Sequence, residues 1–274
     1  MKQAGVAAIG MMMLQSAWAA SPWLPQAGKV TTTFMYLNDE FDDYWKGHEK
    51  ARQPVPYGQQ TYYGFLEYGL APNLALDIES GKTETAVQGN SLGGITDSLI
   101  GLRYQAYSGE SFVLTLRGAA IIKGNYTITQ TGRWSPGDKA SGGLGSVMMG
   151  WTLPKRFFSF AETGYRMRQD PVPQDFFGTA GIGSSVKRLI WTTSYQTSRS
   201  INGIDLFKPP FTPALFPATK KIFGSIDAAA YYRVRNDLSF GFNYGRILHG
   251  RNVGQKRVYA VSVSYTLPWT LPHF

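Results

Sequence analysis

The chain has no cysteine, little charge, few histidines and, past its first twenty residues, no long hydrophobic run. Without cysteine there is no disulfide framework, no thiolate metal site and no thiol nucleophile. Charged residues fill only 16% of the 274 positions, against about 25% in an ordinary soluble domain. Three histidines, His48, His249 and His273, leave little for a multi-histidine metal site. After residue 20 no uncharged apolar stretch reaches the ~18 residues that a spanning helix needs. The smoothest run, 111–122, contains Arg117 and alternates with period two. An inner-membrane helical protein is thereby disfavoured. Glycine (31), tyrosine (16) and phenylalanine (16) are plentiful instead, which favours strands and turns over helices.

The first nineteen residues read as a secretory signal peptide. Met1-Lys2-Gln3 is a short positive start, residues 4–14 are apolar, and Ala17-Trp18-Ala19 supplies the small residues of an A-x-A cleavage site. Cleavage after Ala19 is expected, leaving a mature domain over 20–274. Its lack of cysteine suits an oxidising compartment such as the periplasm.

Period-two runs rich in aromatic and β-branched residues predict twelve strands. They lie at 29–37, 60–70, 74–81, 96–107, 111–123, 142–153, 156–168, 176–186, 189–198, 221–234, 238–247 and 257–267. Short links (Ala71-Pro72-Asn73, Ser108-Gly109-Glu110, Pro154-Lys155, Lys187-Arg188 and Arg235-Asn236-Asp237) alternate with long ones at 38–59, 82–95, 124–141, 169–175, 199–220 and 248–256. A transmembrane barrel has this arrangement, with tight turns on the periplasmic side and long loops outside. A Greek-key sandwich has no reason to segregate its loops so cleanly. Within strands, Leu74, Leu76 and Ile78 oppose Ala75, Asp77 and Glu79, and Ile100, Leu102 and Tyr104 oppose Gly101, Arg103 and Gln105. An apolar lipid face and a polar lumen produce this pattern, and tyrosines and tryptophans gather near strand ends, where membrane girdles sit. The fold class is therefore all-β: an antiparallel up-and-down barrel of about twelve strands in the cell outer membrane. The Pro268-Trp269-Thr270-Leu271-Pro272 run before the terminal Phe274 reads as a periplasmic extension, because two prolines remove ladder donors.

Several stretches resemble the outer-membrane transporter family known as the meta-pathway of phenol degradation family. They are 67–76 (EYGLAPNLAL) with its short turn, Gly94-Ile95-Thr96-Asp97 followed by Ile100-Gly101-Leu102-Arg103-Tyr104, and Gly250-Arg251-Asn252-Val253-Gly254 before the final strand. The resemblance runs over most of the mature chain. It implies a small barrel concerned with the passage of organic compounds and carries over no binding residue.

The charges expected to face the lumen include Asp77, Glu79, Arg103, Arg117, Glu162, Arg166, Asp227 and Arg233, with Glu67 and Arg168 beside them. They are the candidate solute-binding set. They either line a channel and set its selectivity or pair across a filled interior, and pairing is the favoured reading for most. Glu79 with Arg103 is one such expected pair. No cofactor is expected. The acidic stretch Asn38-Asp39-Glu40-Phe41-Asp42-Asp43 lacks the glycine and terminal glutamate of an EF-hand loop, and reads as a solvated loop. Apolar residues in 206–217 could form a plug or gate at the mouth. The net charge of +9 includes Arg246, Arg251, Lys256 and Arg257 near the outer rim, suited to lipopolysaccharide phosphates. An exported barrel does not meet nucleic acid. The expected function is passage or binding of a small organic solute, aromatic or hydrophobic, with membrane lipids and lipopolysaccharide as surroundings. The alternatives are a closed barrel acting through its loops, or a lipid hydrolase using His249. No serine is obviously beside that histidine and no G-x-S-x-G elbow is present, so no enzyme is expected.

Overall fold

A computed structural model describes residues 21–87, 90–126, 138–205 and 217–272. The expected signal peptide, the apolar gate residues 206–216 and the terminal Phe274 lie outside the described residues. Described strands are β1 (Val30–Lys46), β2 (Glu49–Ala71), β3 (Leu74–Val87), β4 (Asn90–Ile95), β5 (Ser98–Ser108), β6 (Phe112–Ile122) and β7 (Gly142–Thr152). They continue with β8 (Phe157–Arg168), β9 (Asp175–Val186), β10 (Leu189–Ser200), β11 (Ile222–Arg235), β12 (Leu238–Arg251) and β13 (Arg257–Thr266).

Every pairing is antiparallel between chain neighbours, and β1 closes the ring by pairing with β13 from Thr31↔Thr266 to Glu40↔Arg257. Two strands share one position in the ring. β4 pairs with the outer half of β3 (Lys82↔Ile95 to Val87↔Asn90) and β5 with its inner half (Leu74↔Tyr104 to Glu79↔Leu99), with Thr96 and Asp97 between them. The result is a closed antiparallel barrel of twelve positions. Closure matters because hydrocarbon offers no partner to a free strand edge.

Side chains then sort by parity. On β5, Ile100, Leu102 and Tyr104 are exposed on the outside while Leu99 and Arg103 are buried inside. Phe34, Leu116, Ile182, Ile226, Phe240 and Val261 continue the outward apolar belt around the barrel. This inverts a soluble protein and fits a hydrocarbon surround. Leu102→Arg is expected to cost about 2–4 kcal/mol if Leu102 sits near the bilayer midplane, read as a lower urea midpoint of the barrel in lipid vesicles. A change near zero would place it at the interface.

Two expected long links are strand instead. Residues 38–59 and 82–95 mostly extend β1, β2, β3 and β4, so the β1–β2 hairpin turns tightly at Gly47 and His48, with Gly47 at φ +60°. The acidic residues of 39–43 are thus not a solvated loop. Asp39 is fully buried and paired with Lys256, while Asp42 meets Arg257 and Asp43 meets Lys50. Cross-strand cations, invisible to a single-strand reading, hold these weak strand formers in the ladder. Phe41 and Trp45 pack inward on Gly254 and Gly250, where a Cβ would lie 2.8 Å and 3.2 Å from their rings. The tail after Thr266 leaves the ladder as expected and folds back under the barrel, Leu271 N donating to Gly28 O at 2.8 Å.

Candidate functional site

The lumen holds a chain segment that the sequence reading did not foresee. Residues before β1 enter the barrel from the end that carries the tight turns. Arg103 Nη1 donates to Ser21 O at 2.5 Å, and Thr115 Oγ1 to Pro22 O at 2.7 Å. Trp23 stands edge-on to Phe158 with ring centroids 5.7 Å apart. It packs against a buried cluster of Phe158, Phe160, Ile190 and Tyr231. Glycine makes this close approach possible. A Cβ on Gly69 would lie 2.2 Å from the Gln26 carbonyl oxygen, and one on Gly150 would lie 2.7 Å from the Trp23 ring. Pro22-Trp23-Leu24-Pro25 precedes the first strand and has no strand pattern. That proline-bracketed tryptophan was the available signal.

Above this segment lies the charge cluster. Arg103 Nη2 meets Glu67 Oε1 at 2.5 Å and Asp77 Oδ1 at 2.8 Å, and its Nε donates to Asp77 Oδ1 at 3.0 Å. The register explains the pairing. Arg103 sits opposite Ala75, next to Asp77 on the same face, while Glu79 is four residues further along and opposite Leu99. The expected Glu79–Arg103 pair is therefore replaced by Arg103 with Glu67 and Asp77. Arg117 faces Arg103 directly across β5 and β6. Asp77 separates the two cations, its Oδ2 lying 3.7 Å from Arg117 Nε. Glu162 accepts from Ser146 Oγ at 2.6 Å. A guanidinium as deeply enclosed as that of Arg103 is tolerable because Glu67 and Asp77 pair with it.

Of the eight candidate residues, Asp77, Arg103 and Arg117 are joined in this one cluster. Glu79 is half-buried beside it, and Glu162 stands on β8. Arg166 lies further toward the outer end, with its guanidinium 5.2 Å from the Phe177 ring and 3.9 Å from Asp175. Asp227 is on the far wall, accepting from Ser225 Oγ at 3.4 Å. Arg233 sits near the inner turns, half-buried and apart from the others.

A second ionic assembly fastens the outer link before β7. Asp138 binds Lys221 Nζ at 2.6 Å and also Arg168, which reaches Asp175 at 3.4 Å. Burial works against the Asp138 charge, but the Lys221 and Arg168 cations outweigh it and hold the carboxyl well below the usual carboxylate range. A folded-state pKa below the unfolded one stabilises above the unfolded value, about 4, and that contribution fades as pH falls toward the lowered value. Protease nicking in the 123–141 link is thus expected to stay flat from neutral pH to about pH 5 and to rise only in stronger acid. Asp138→Asn is expected to be nicked across the range. Equal nicking of both proteins at neutral pH would dissociate the latch from this carboxylate.

His249 accepts or donates a 2.8 Å hydrogen bond with Tyr195 Oη on the outward face. Its partner is a phenol rather than a serine hydroxyl. Among the described residues no group of three acidic or histidine side chains is placed to hold a metal ion.

No protein-family model matches the chain, and no curated protein matches it. Solved structures do. An outer-membrane channel from Pseudomonas putida F1 superposes with a TM-score of 0.73 at 10% identity, over 89% of this chain and 97% of that one. The NanC porin superposes at 0.52 and 9% identity, over 85% of this chain and all of its own length, 100%. At such identities the likeness is one of fold. The fold is that of an outer-membrane barrel, and the apolar belt gives the reason. The barrel sits in the outer membrane, in contact with its lipids.

Proposed function

We propose that the barrel conducts small, largely apolar organic solutes across the outer membrane through a lumen narrowed at its periplasmic end. The observation that carries this reading is the segment 21–27 inside the barrel, its Ser21 and Pro22 carbonyls held by Arg103 and Thr115 and its Trp23 packed on Phe158, Phe160, Ile190 and Tyr231. A channel for ions and sugars gains from a wide, wet bore, whereas this interior pairs Arg103 with Glu67 and Asp77 and offers an aromatic surface. The two superposed structures are described as a channel and a porin, and the resemblance to the phenol meta-pathway family points the same way. Asp77, Glu79, Arg103, Arg117, Glu162, Arg166, Asp227 and Arg233 remain the candidate wall residues, with the Arg103 cluster serving chiefly to anchor the segment. Outside, exposed Arg199 and Arg246 suit lipopolysaccharide phosphates at the rim.

The test is uptake into liposomes holding the refolded mature chain, run beside single-channel recording with and without small aromatic acids. Small current steps that these acids block, with faster entry of apolar solutes than of sugars of equal size, are expected. A silent membrane with no solute entry, from a heat-modifiable barrel, would move the function to the outer loops. Those loops are tied together around Asn252, which binds Asp205, Lys220 O and Gly47 N, each at 2.8 Å.

A further inference from the structure

The far wall of the lumen, over β11, β12 and β13, carries three polar groups that the charge cluster does not use. Asp227 Oδ1, Asn243 Nδ2 and Ser262 Oγ are enclosed and have no hydrogen-bond partner among the described residues. Their residues are 8%, 3% and 7% exposed, so bulk water does not answer for them, and a buried polar group without a partner is costly.

The register puts the three on one face along a diagonal. Asp227 is opposite Gly245, Asn243 is opposite Ala229 and Ala260, and Ser262 is opposite Gly241. Diagonal neighbours on a sheet stand about 7–8 Å apart, too far for Asp227 and Asn243 to satisfy each other and a suitable span for one bridging atom. Beside Asp227 and Asn243 the lumen-facing positions Gly245, Ala229 and Ala260 are small, whereas Ser262 Oγ and the Tyr231 ring fill the space over Gly241, 2.4 Å and 2.6 Å from where a Cβ would stand. Tyr231 Oη donates to Asn243 Oδ1 at 2.9 Å, which fixes the amide and turns its NH₂ away from the tyrosine. The same Tyr231 belongs to the apolar cluster that packs on Trp23. A polar patch and an aromatic wall therefore adjoin.

We infer that Asp227 and Asn243 form a subsite that binds the hydroxyl group of an otherwise apolar solute, with Ser262 one diagonal further along the wall. The mixed donors and acceptors select this chemistry. A hydroxyl donates to Asp227 and accepts from Asn243 at once. A carboxylate is repelled by Asp227, and an ammonium cannot use the Asn243 donor. Pairing buried polar groups on the protein with a ligand hydroxyl discriminates strongly against the analogue that lacks it. The inference rests on the proposed role in passing apolar solutes.

The experiment compares cyclohexanol, methylcyclohexane and cyclohexylamine, matched in size. Binding to the mature chain in lipid nanodiscs is measured by calorimetry with empty-disc subtraction, and entry into liposomes is followed in parallel. Cyclohexanol is expected to bind roughly tenfold or more tighter than methylcyclohexane. Asp227→Ala and Asn243→Ala are each expected to reduce cyclohexanol binding by about tenfold while leaving methylcyclohexane unchanged. Asn243→Ser, the milder change, reduces it in the same selective way should either alanine variant fold poorly. Equal binding of cyclohexanol and methylcyclohexane, with both entering, overturns the subsite and leaves the conduit standing. Preference for cyclohexylamine overturns it in favour of a cation site. If none of the three binds or enters, the subsite and the conduit fall together.

Discussion

Deleting residues 21–26 is expected to raise single-channel conductance severalfold and to admit sugars that the intact barrel excludes. These residues occupy the lumen on specific terms. Arg103 and Thr115 hold the carbonyls of Ser21 and Pro22, and Trp23 stands on Phe158 at 5.7 Å. They contribute no strand, so the closed ring from β1 to β13 survives their loss. A subtler version keeps the segment and removes its seat. Gly150→Leu places a side chain where Trp23 and Pro22 already lie, 2.7 Å and 2.9 Å from the new Cβ, and is expected to shift conductance in the same direction. Unchanged conductance in both variants would locate the constriction at the outer loops.

Arg103→Met is expected to be the most destabilising single substitution in the lumen. It leaves Glu67 and Asp77, 1% and 0% exposed, as adjacent carboxylates without their main cation. Breaking an enclosed pair from one side costs about 3–5 kcal/mol. The loss would appear as a lower urea midpoint of the heat-modifiable form. It would also free the Ser21 carbonyl and so raise conductance. The double change Arg103→Met with Glu67→Gln is expected to recover much of the stability, since Asp77 is then left to face Arg117 alone and Glu67 no longer carries a charge without a cation. A cost below about 1 kcal/mol for the single change would mean that water reaches these carboxylates.

The barrel was legible in the sequence because its two faces differ at every second residue. Leu102 and Arg103 are neighbours in the chain, and one is exposed to lipid while the other is wholly enclosed. Strand ends were legible on the turn side, where Ala71-Pro72-Asn73 and Lys187-Arg188 punctuate sharply. They were not legible at the outer side of β1, where Asp39, Asp42 and Asp43 look like loop until the cations of Lys256, Arg257 and Lys50 are placed across from them. Partner choice inside the lumen was hidden for the same reason. Period two shows that Asp77, Glu79 and Arg103 share an interior, but only the register Ala75↔Arg103 tells which carboxylate is in reach. For the luminal segment the proline-bracketed Trp23 was a signal of something other than strand, but not of where it would lodge. Its place depends on missing side chains at Gly69 and Gly150, far from it in the chain.

The seam between β1 and β13 has a consequence for the order of events during assembly. Its register runs from Thr31↔Thr266 to Glu40↔Arg257, so the first strand waits for almost the last residues to be exported. All other ring neighbours are adjacent in the chain or, for β3 and β5, separated by β4 alone, and can pair locally, whereas closing so long a loop is the slow, entropically costly step. Until then β1 and β12 present two unsatisfied edges, and a nascent chain halted before Arg257 has no means of covering them. Commitment to the membrane is therefore a late, all-or-none decision, taken by the final ten residues of the sheet.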